Sequence, residues 1–309
     1  MTGRITQSTG SWYEIEAEDG KSYSAKLRGK FKIKGIKSTN PIAVGDWVVF
    51  DWDEKSNNAF ITEIKERNNY IVRRSVNLSK QSHIIASNID QAIVVITISQ
   101  PRTSTGFIDR FLVSCEAYHI PVVLVFNKID IYNDKEKKQL KILRQLYENI
   151  GYKCIEVSAI KKTNIENLKF IMTSKLSLIS GHSGVGKSAL INALDNSKNI
   201  RIGEISNMHK KGKHTTTYAK MHKLEFGAHI IDSPGIKEFG LFDFNKADLS
   251  HYFPDMRKYI NKCKFNNCTH IHEPGCAVKH AVTNGEIAES RYTNYLNMID
   301  GKEMNIDEY

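Results

Sequence analysis

The chain has 309 residues, a net charge of +10 and a hydrophobic fraction of 40%. This length suggests about two or three domains, and no apolar run approaches the ~20 residues of a membrane-spanning helix. The first residues also lack the apolar segment of a signal peptide. The composition therefore predicts a cytoplasmic protein that does not enter a membrane.

The N-terminal stretch, residues 1–68, alternates apolar and polar residues in short runs that glycines interrupt. This pattern predicts a small all-β barrel of the OB type. Lys30, Lys32 and Lys34 alternate with apolar residues, so one strand face would be cationic. A basic barrel face is frequent in nucleic-acid binders. The alternative is a barrel that only covers its neighbour.

The central stretch, residues 69–247, alternates apolar β runs with amphipathic helical stretches from Ile89 onwards. That alternation predicts βαβ units on a parallel sheet. The predicted elements are strands over 91–98, 121–126 and 153–157 and helices over 106–119 and 134–150. Most of the net positive charge lies here, and such a surface attracts polyanions such as nucleic acid. A basic surface that is merely solvated is the alternative.

An Asn-Lys-x-Asp element, Asn127, Lys128 and Asp130, directly follows the second of these strands. Doubly wound sheets bind ligands at such strand ends. The Asp130 carboxylate can accept hydrogen bonds from N1–H and the 2-amino group of guanine, a donor pair that adenine lacks. Ser158 and Ala159 follow the next strand: the Ala159 N–H would meet guanine O6, and Ser158 would orient Asp130. Simple capping of the next helix is the alternative.

The segment GHSGVGKS, residues 181–188, lies between a β run and a helical stretch, the context that a phosphate-binding loop requires. Its glycines let backbone N–H groups face a phosphate. Lys187 would reach the β and γ phosphates, and Ser188 would place its hydroxyl on Mg²⁺. The predicted nucleotide-binding residues of this segment are Gly181, His182, Ser183, Gly184, Val185, Gly186, Lys187, Ser188 and Ala189.

The element Asp232-Ser233-Pro234-Gly235 follows another apolar run. A carboxylate at Asp232 would hold Mg²⁺ through water, and Gly235 would turn its N–H toward the γ-phosphate. The preceding segment, residues 198–223, contains seven Lys and Arg and a single acid. We expect this segment to touch RNA directly, and a solvated mobile loop is the alternative.

Residues 210–218, KKGKHTTTY, supply candidates for Mg²⁺ binding and catalysis. A threonine hydroxyl would complete the Mg²⁺ coordination, with Thr216 as the first choice and Thr215 as the second. Ile236 stands where many GTPases carry a water-positioning Gln. His214 is therefore the candidate for orienting the attacking water.

A cysteine cluster marks the C-terminal stretch, residues 248–309, which is predicted to consist mostly of short helices and to end in a charged helix over 284–301. Three thiolates and one imidazole are a complete tetrahedral set for a structural Zn²⁺, one per monomer. The predicted ligands are Cys263, Cys268, His270 and Cys276. His272 can replace His270, and reduced thiols without metal are the alternative.

The order of these motifs is informative, because the guanine-recognition element precedes the phosphate loop, whereas an ordinary GTPase has the reverse order. The whole set resembles one bacterial family, the ribosome small subunit-dependent GTPase A, whose members are circularly permuted GTPases. The resemblance covers nearly the whole chain. It implies an OB-like barrel, a permuted P-loop GTPase domain and a mostly α zinc-binding domain.

The resemblance also implies a function: binding to the small ribosomal subunit and its rRNA, GTP hydrolysis stimulated by that subunit, and a role late in subunit maturation. It implies that His214 is the catalytic histidine, supported by Lys187 and Thr216. We expect a monomer. Two other classes stay open, an RNA-binding chaperone with a structural nucleotide and a translation or transport regulator stimulated by a different partner.

Overall fold

The computed structural model describes residues 1–28, 41–54, 57–74, 82–195, 219–232 and 246–301. The predicted cationic strand over 30–34 lies outside these ranges, as does most of the basic segment over 198–223. Within the described ranges, none of the helices has the length and apolar character needed to cross a bilayer.

The N-terminal region is a closed five-stranded barrel. Its strands are β1 (Thr2–Ser8), β2 (Tyr13–Ala17), β3 (Ser22–Leu27), β4 (Trp47–Asp53) and β5 (Asn58–Ile64). They pair in the order β1-β2-β3-β5-β4, and β1 also pairs with β4, which closes the barrel. Alternate side chains fill the interior, and Ile5, Ile15, Phe50 and Ile61 are each 0% exposed. The predicted OB-type barrel is confirmed.

A two-stranded hairpin, which the sequence analysis did not predict, connects the barrel to the α/β region. It consists of β6 (Tyr70–Arg74) and β7 (Ser82–Ser87). A buried ion pair fixes its base: Arg67 donates from Nε and Nη2 to the two carboxylate oxygens of Asp46, each at 2.6 Å. Ser87 Oγ donates to the same carboxylate at 2.6 Å. Breaking such a buried pair on one side is costly, because the remaining charge is unpaired.

The α/β region confirms the predicted parallel sheet. Its strands are β8 (Gln91–Ile96), β9 (Val122–Phe126), β10 (Lys153–Glu156), β11 (Leu176–Ser180), β12 (Lys220–Lys223) and β13 (His229–Asp232). Its helices are α1 (Thr105–Ala117), α2 (Asp134–Ile150), α3 (Ile165–Met172) and α4 (Lys187–Leu194). The strand order is β10-β9-β8-β11-β13-β12, and all neighbours are parallel except β12 with β13.

Both faces of this sheet are covered, as the continuous apolar runs of β8 and β9 require. Ala92, Val94 and Ile96 face one core, together with α1 and α2. Ile93 and Val95 face the other core, together with α3 and α4. The centre of the sheet, where β8 and β11 lie side by side, is therefore buried from both faces.

Strand β1 belongs to the barrel and also contacts the α/β sheet. Its first half pairs with β4, and its second half pairs with β12 through Gln7 and Lys220. A register shift lies between Ile5 and Gln7, where the strand passes from one partner to the other. Beside it, Lys223 Nζ lies 2.7 Å from a carboxylate oxygen of Glu16. The barrel and the α/β region thus form one eleven-stranded sheet.

The C-terminal region contains a 3₁₀ helix (Lys246–Tyr252) and helices α5 (Pro254–Ile260), α6 (Ala277–Thr283) and α7 (Glu289–Ile299). The predicted helix over 284–301 was too long at its start, because Asn284 ends α6 and Gly285 follows with φ +74°. Helix α1 packs Val113 into the core of this region. Arg291 of α7, 1% exposed, pairs with Asp109 of α1.

Candidate functional site

The ends of four neighbouring parallel strands meet at one edge of the α/β sheet. Ile96 at the end of β8 lies beside Phe126 of β9, and Phe126 lies beside Glu156 of β10. On the other side of β8, Ser180 of β11 lies beside Val94. The Asn-Lys-x-Asp element, Ser158-Ala159 and the phosphate loop leave β9, β10 and β11 at this edge, so the sheet brings all three together.

The phosphate loop joins β11 to α4 in a conformation that depends on glycine. Gly181, Gly184 and Gly186 have φ values of +143°, +84° and +93°. A Cβ on Gly181 would lie 2.5 Å from the Val95 oxygen, and one on Gly186 would lie 2.5 Å from Asn127 Nδ2. Both distances are shorter than real Cβ contacts, so the loop needs glycine for close packing as well as for its backbone angles.

The other loop residues differ in exposure. Val185 is buried in the core beneath the loop, whereas Ser183 and Ala189 are exposed and Ser188 is half-buried. The Lys187 ammonium group lies over the loop and donates to the carbonyl oxygens of Gly181 and His182, each at 2.6 Å. The positive charge of Lys187 therefore lies next to the backbone of the phosphate loop.

Asn127 links the three nucleotide motifs. Its side-chain Nδ2 donates to the Val185 carbonyl oxygen of the phosphate loop at 2.9 Å. Its Oδ1 accepts from the Ala159 N–H at 3.2 Å. Asn127 is 1% exposed, and an unpaired polar group at such a position costs about 1–3 kcal/mol. One amide thus fixes the spacing of the strand ends.

Lys128 and Asp130 leave this point toward solvent. Lys128 has a left-handed backbone with φ +67°, and its Nζ donates to the Gln100 carbonyl oxygen. Asp130 lies in a 3₁₀ turn, Ile129–Ile131, and is exposed. Tyr132 secures the turn from beneath, because its hydroxyl donates to the Asn127 carbonyl oxygen. Burial raises the pKa of Tyr132 to about 12, so this hydroxyl keeps its proton.

Ser158 is fully buried behind the same edge. Its hydroxyl oxygen accepts from the Lys161 N–H at 3.0 Å, and its backbone pairs with Thr163. These bonds hold the turn that presents the Ala159 N–H. The predicted orientation of Asp130 by Ser158 stays a prediction.

Several predicted site residues lie outside the described ranges, and one is described by its backbone alone. His214, Thr215, Thr216 and Gly235 lie outside them. The backbone of Asp232 ends β13, which runs parallel to β11. This strand end is thus at the same edge of the sheet as the phosphate loop.

The segment before α1 contacts the nucleotide motifs, and the sequence analysis missed it. Pro101 lies against Gly184: a Cβ there would be 3.2 Å from Pro101 Cδ. In the first turn of α1 itself, the Phe107 ring lies against the His182 ring, with centroids 3.8 Å apart and planes tilted by 37°. Burial first, and the Lys187 charge second, lower the pKa of His182. Only the position of this segment directly after β8 could have indicated its role.

The cysteine cluster brings the four predicted metal ligands together. The ligand atoms of Cys263, Cys268, His270 and Cys276 all lie within 4.8 Å of one another. His270 Nδ1 is 3.6 Å from Cys263 Sγ and 3.4 Å from Cys276 Sγ, and tetrahedral bonds of 2.0–2.3 Å give edges of about 3.5 Å. The donor set fits zinc. His270 is 0% exposed and His272 is exposed, so the geometry selects His270.

Glu273 organises the loop between the ligands. Its carboxylate accepts from the Thr269 N–H and hydroxyl at 2.7 and 2.6 Å, and from the N–H groups of Ile271 and His272 at 3.1 and 3.2 Å. Burial would raise the pKa of Glu273, but hydrogen bonds from Thr269 and from the backbone N–H groups of Ile271 and Glu273 itself lower it to about 2. The carboxylate holds the backbone around His270, whose φ is +61°.

A phosphate loop on a central strand, an Asn-Lys-x-Asp element on a neighbouring strand that comes earlier in the chain, and a sheet joined to a preceding barrel define a circularly permuted GTPase. The family model described as RsgA GTPase matches residues 64–242, and that of the RsgA N-terminal domain matches residues 2–61. The chain belongs to the RsgA GTPase family and is a GTP-hydrolysing enzyme.

Relatives extend the match over the full length. The chain is 52% identical over 313 residues to the small ribosomal subunit biogenesis GTPase RsgA of Christiangramia forsetii, covering 100% of this chain and 99% of the relative. The crystal structure of YjeQ from Thermotoga maritima has a TM-score of 0.79 and 34% identity, with 97% of each chain covered. The structure of YloQ, a circularly permuted GTPase, has a TM-score of 0.77 and 28% identity, with 100% and 96% covered.

Proposed function

We propose that this GTPase binds the small ribosomal subunit, hydrolyses GTP in a manner stimulated by that subunit, and acts in the late maturation of the subunit. The observation that carries the nucleotide half is the Asn127 amide, which joins the phosphate loop to the Ala159 N–H. The ribosomal half rests on the names of the relatives, which are small ribosomal subunit biogenesis GTPases.

Recognition of guanine is assigned to the strand end after β9. Asp130 accepts from N1–H and the 2-amino group, and its exposure leaves both carboxylate oxygens accessible. Lys128 runs beside the phosphate loop, since a Cβ on Gly186 would lie 3.8 Å from Lys128 Cε. The Ala159 N–H, which now donates to Asn127, is the donor for guanine O6.

Phosphate binding is assigned to the loop before α4. Its backbone N–H groups and Lys187 face the phosphates, and the family implies Mg²⁺ as the partner of GTP. Ser188 and Thr216 are the proposed Mg²⁺ ligands, with Thr215 as the alternative, and Asp232 acts through water. Bound Mg²⁺ supplies charge neutralisation on the phosphate oxygens.

His214 is the proposed catalytic residue, supported by Lys187 and Thr216. A neutral imidazole can accept a proton from water and so orient it toward the phosphorus. Gly235 would add a backbone N–H to the γ-phosphate. Placement of His214 against the nucleotide by the bound subunit would account for the stimulation of hydrolysis.

The C-terminal cluster is proposed to bind one structural zinc ion per monomer through Cys263, Cys268, His270 and Cys276. We propose three domains: the barrel over 1–68, the GTPase domain over 69–247 and the zinc domain over 248–309. The net charge of +10 favours rRNA as the contacted surface of the subunit. We propose a cytoplasmic monomer.

The test is GTP hydrolysis by the purified protein with and without small ribosomal subunits, with large subunits and ATP as controls. A large increase that requires both GTP and the small subunit supports the proposal. Tight GDP binding without turnover on any RNA would instead indicate a chaperone with a structural nucleotide. Stimulation by another partner alone would indicate a translation or transport regulator.

Two variants separate binding from catalysis in this assay. Lys187→Ala is expected to abolish turnover through loss of phosphate binding. His214→Ala is expected to retain GTP binding and to lose most of the stimulated rate. Stimulation that survives unchanged in His214→Ala would contradict the catalytic assignment.

A further inference from the structure

Helix α1 contacts the phosphate loop at its first turn. The Phe107 ring lies 3.8 Å, centroid to centroid, from the His182 ring. Two interactions fix Phe107 itself: its N–H donates to the capping Ser104 hydroxyl at 3.2 Å, and its side chain packs on the core beneath α1. The ring is therefore attached to α1 and its core on one side and lies against the phosphate loop on the other.

The segment that leads into α1 adds two more contacts with the nucleotide motifs. Pro101 lies against Gly184, and the Gln100 carbonyl oxygen accepts from Lys128 Nζ. The segment is internally braced, because the Thr97 N–H donates to the Thr103 hydroxyl at 3.1 Å and the Thr103 N–H donates to the Thr97 carbonyl at 2.9 Å. Residues 97–107 thus form a third wall beside the phosphate loop and the Asn-Lys-x-Asp element.

The C-terminal region holds the same helix close to Phe107. Asp109 is 0% exposed and accepts from Arg291 Nη1 and Asn294 Nδ2, each at 2.6 Å. Val113 belongs to the C-terminal core, and Glu116 pairs with Arg257 at 2.6 Å. A buried charge with these partners fixes the position and rotation of α1 relative to α7.

We infer that Phe107 is a positioning residue of the nucleotide site: its ring fixes His182 in the phosphate loop, and α1 transmits the docking of the C-terminal region to that loop. The link is short. The His182 carbonyl oxygen accepts from Lys187 Nζ, so a displaced His182 moves the group that holds the lysine. The inference rests on the proposed phosphate-binding role of this loop and requires no ribosomal partner.

The first experiment measures binding of fluorescent GTP and GDP to the free, full-length protein. Phe107→Ala is expected to weaken both nucleotides by about tenfold, the upper range for loss of an aromatic pair. Phe107→Tyr keeps the ring and is expected to bind like the wild type. Phe170→Ala is the matched control, because Phe170 on α3 is 82% exposed and lies outside the nucleotide motifs.

A spectroscopic measurement separates positioning from general destabilisation. The ring protons of His182 are expected to shift by NMR in Phe107→Ala, through loss of the Phe107 ring current, and to return in Phe107→Tyr. Wild-type nucleotide affinity in Phe107→Ala would overturn the inference, whether or not the His182 resonances shift.

The second experiment tests transmission along α1 by a double-mutant cycle. Asn294→Ala is expected to weaken GDP binding by about threefold alone and to have no further effect in the Phe107→Ala background. Glu116→Gln repeats the cycle at a more exposed contact, in case Asn294→Ala does not fold. If the effects on GDP binding are additive both for Phe107 with Asn294 and for Phe107 with Glu116, α1 does not transmit the docking of the C-terminal region to the phosphate loop. Because no subunit is present, a failure here and a failure of subunit-stimulated hydrolysis are distinguishable.

Discussion

The nucleotide site and the metal cluster are built in opposite ways. The nucleotide site joins the ends of separate strands, and the hydrogen bond from Asn127 to Val185 spans 58 positions of the chain. The cysteine cluster lies within residues 263–276, and the Glu273 carboxylate accepts from Thr269, Ile271 and His272, its close neighbours. The first site exists only when the sheet has formed. The second draws its three thiols and one imidazole from a single short stretch of chain.

The largest effect is expected from Cys276→Ala. Loss of one of four ligands opens the tetrahedral set, and the C-terminal region should then unfold locally, because a structural zinc contributes folding free energy directly. Zinc content and hydrogen exchange of residues 254–301 are the measurements. The control is Cys154→Ala, which removes a half-buried thiol outside the cluster. Full protection in Cys276→Ala would contradict a structural metal.

Asp130→Asn should affect only the nucleotide site. It removes the acceptor of two guanine hydrogen bonds, so GTP affinity should fall on the order of 100-fold or more. The new amide can donate to the 2-oxo group of xanthine. Xanthosine triphosphate should therefore bind the variant more tightly than it binds the wild type. Asp134→Asn, an exposed change four residues away, is the control. Unchanged GTP affinity would refute the assignment of guanine recognition.

Asn127→Ala tests whether the distant strand ends depend on one amide. It leaves the Val185 carbonyl and the Ala159 N–H without their partner, and the free energy of unfolding, measured by urea titration, should fall by about 1–3 kcal/mol. Nucleotide affinity, measured by direct binding, should fall as well. Asn149→Ala, on the exposed face of α2, should change neither quantity. A loss of stability with unchanged nucleotide affinity would show that nucleotide binding does not depend on the Asn127 amide.

The smallest effect is expected from Glu273→Gln, which tests the local loop. The amide can still accept, but the charge-assisted bonds to Thr269 and the backbone are weakened, which should cost about 1 kcal/mol. Zinc affinity, measured by competition with a chelator, should fall modestly while GTP binding stays unchanged. Glu289→Gln on α7 is the control. An effect on GTP binding would show that the two sites are more closely coupled than their construction indicates.

The sequence predicted the elements that carry strong local signals. The barrel strands and the buried strands show patterns of hydrophobicity that a few residues are enough to reveal. The glycines of the phosphate loop meet a backbone requirement that is equally local. The helix Asp134–Ile150 was predicted at its observed bounds from its amphipathic pattern, and in the structure Asn133 and Glu136 form a capping box at its start and Gly151 ends it. The grouping of the three cysteines and His270 was predicted from their short spacing, and their ligand atoms lie within 4.8 Å of one another.

Contacts between distant segments were not predicted. Phe107 is an ordinary apolar helix residue in the sequence, and nothing near it indicates a partner in the phosphate loop. Asp109 and Arg291 are 182 positions apart, and a buried pair of this kind depends on how two helices dock. Asn127 was predicted as part of a motif, but its bonds to Val185 and Ala159 follow from the strand order.

Strand β1, which is shared by the barrel and the α/β sheet, has a consequence for synthesis. The chain leaves the ribosome from its N-terminus, and domains fold as units in that order. The barrel is complete once Ile64 has emerged, whereas the partner of Gln7 in β12 is Lys220. Folding in chain order would therefore leave the second half of β1 exposed as an edge on a finished barrel until β12 is synthesised, and the last strands of the GTPase sheet would be added to that edge.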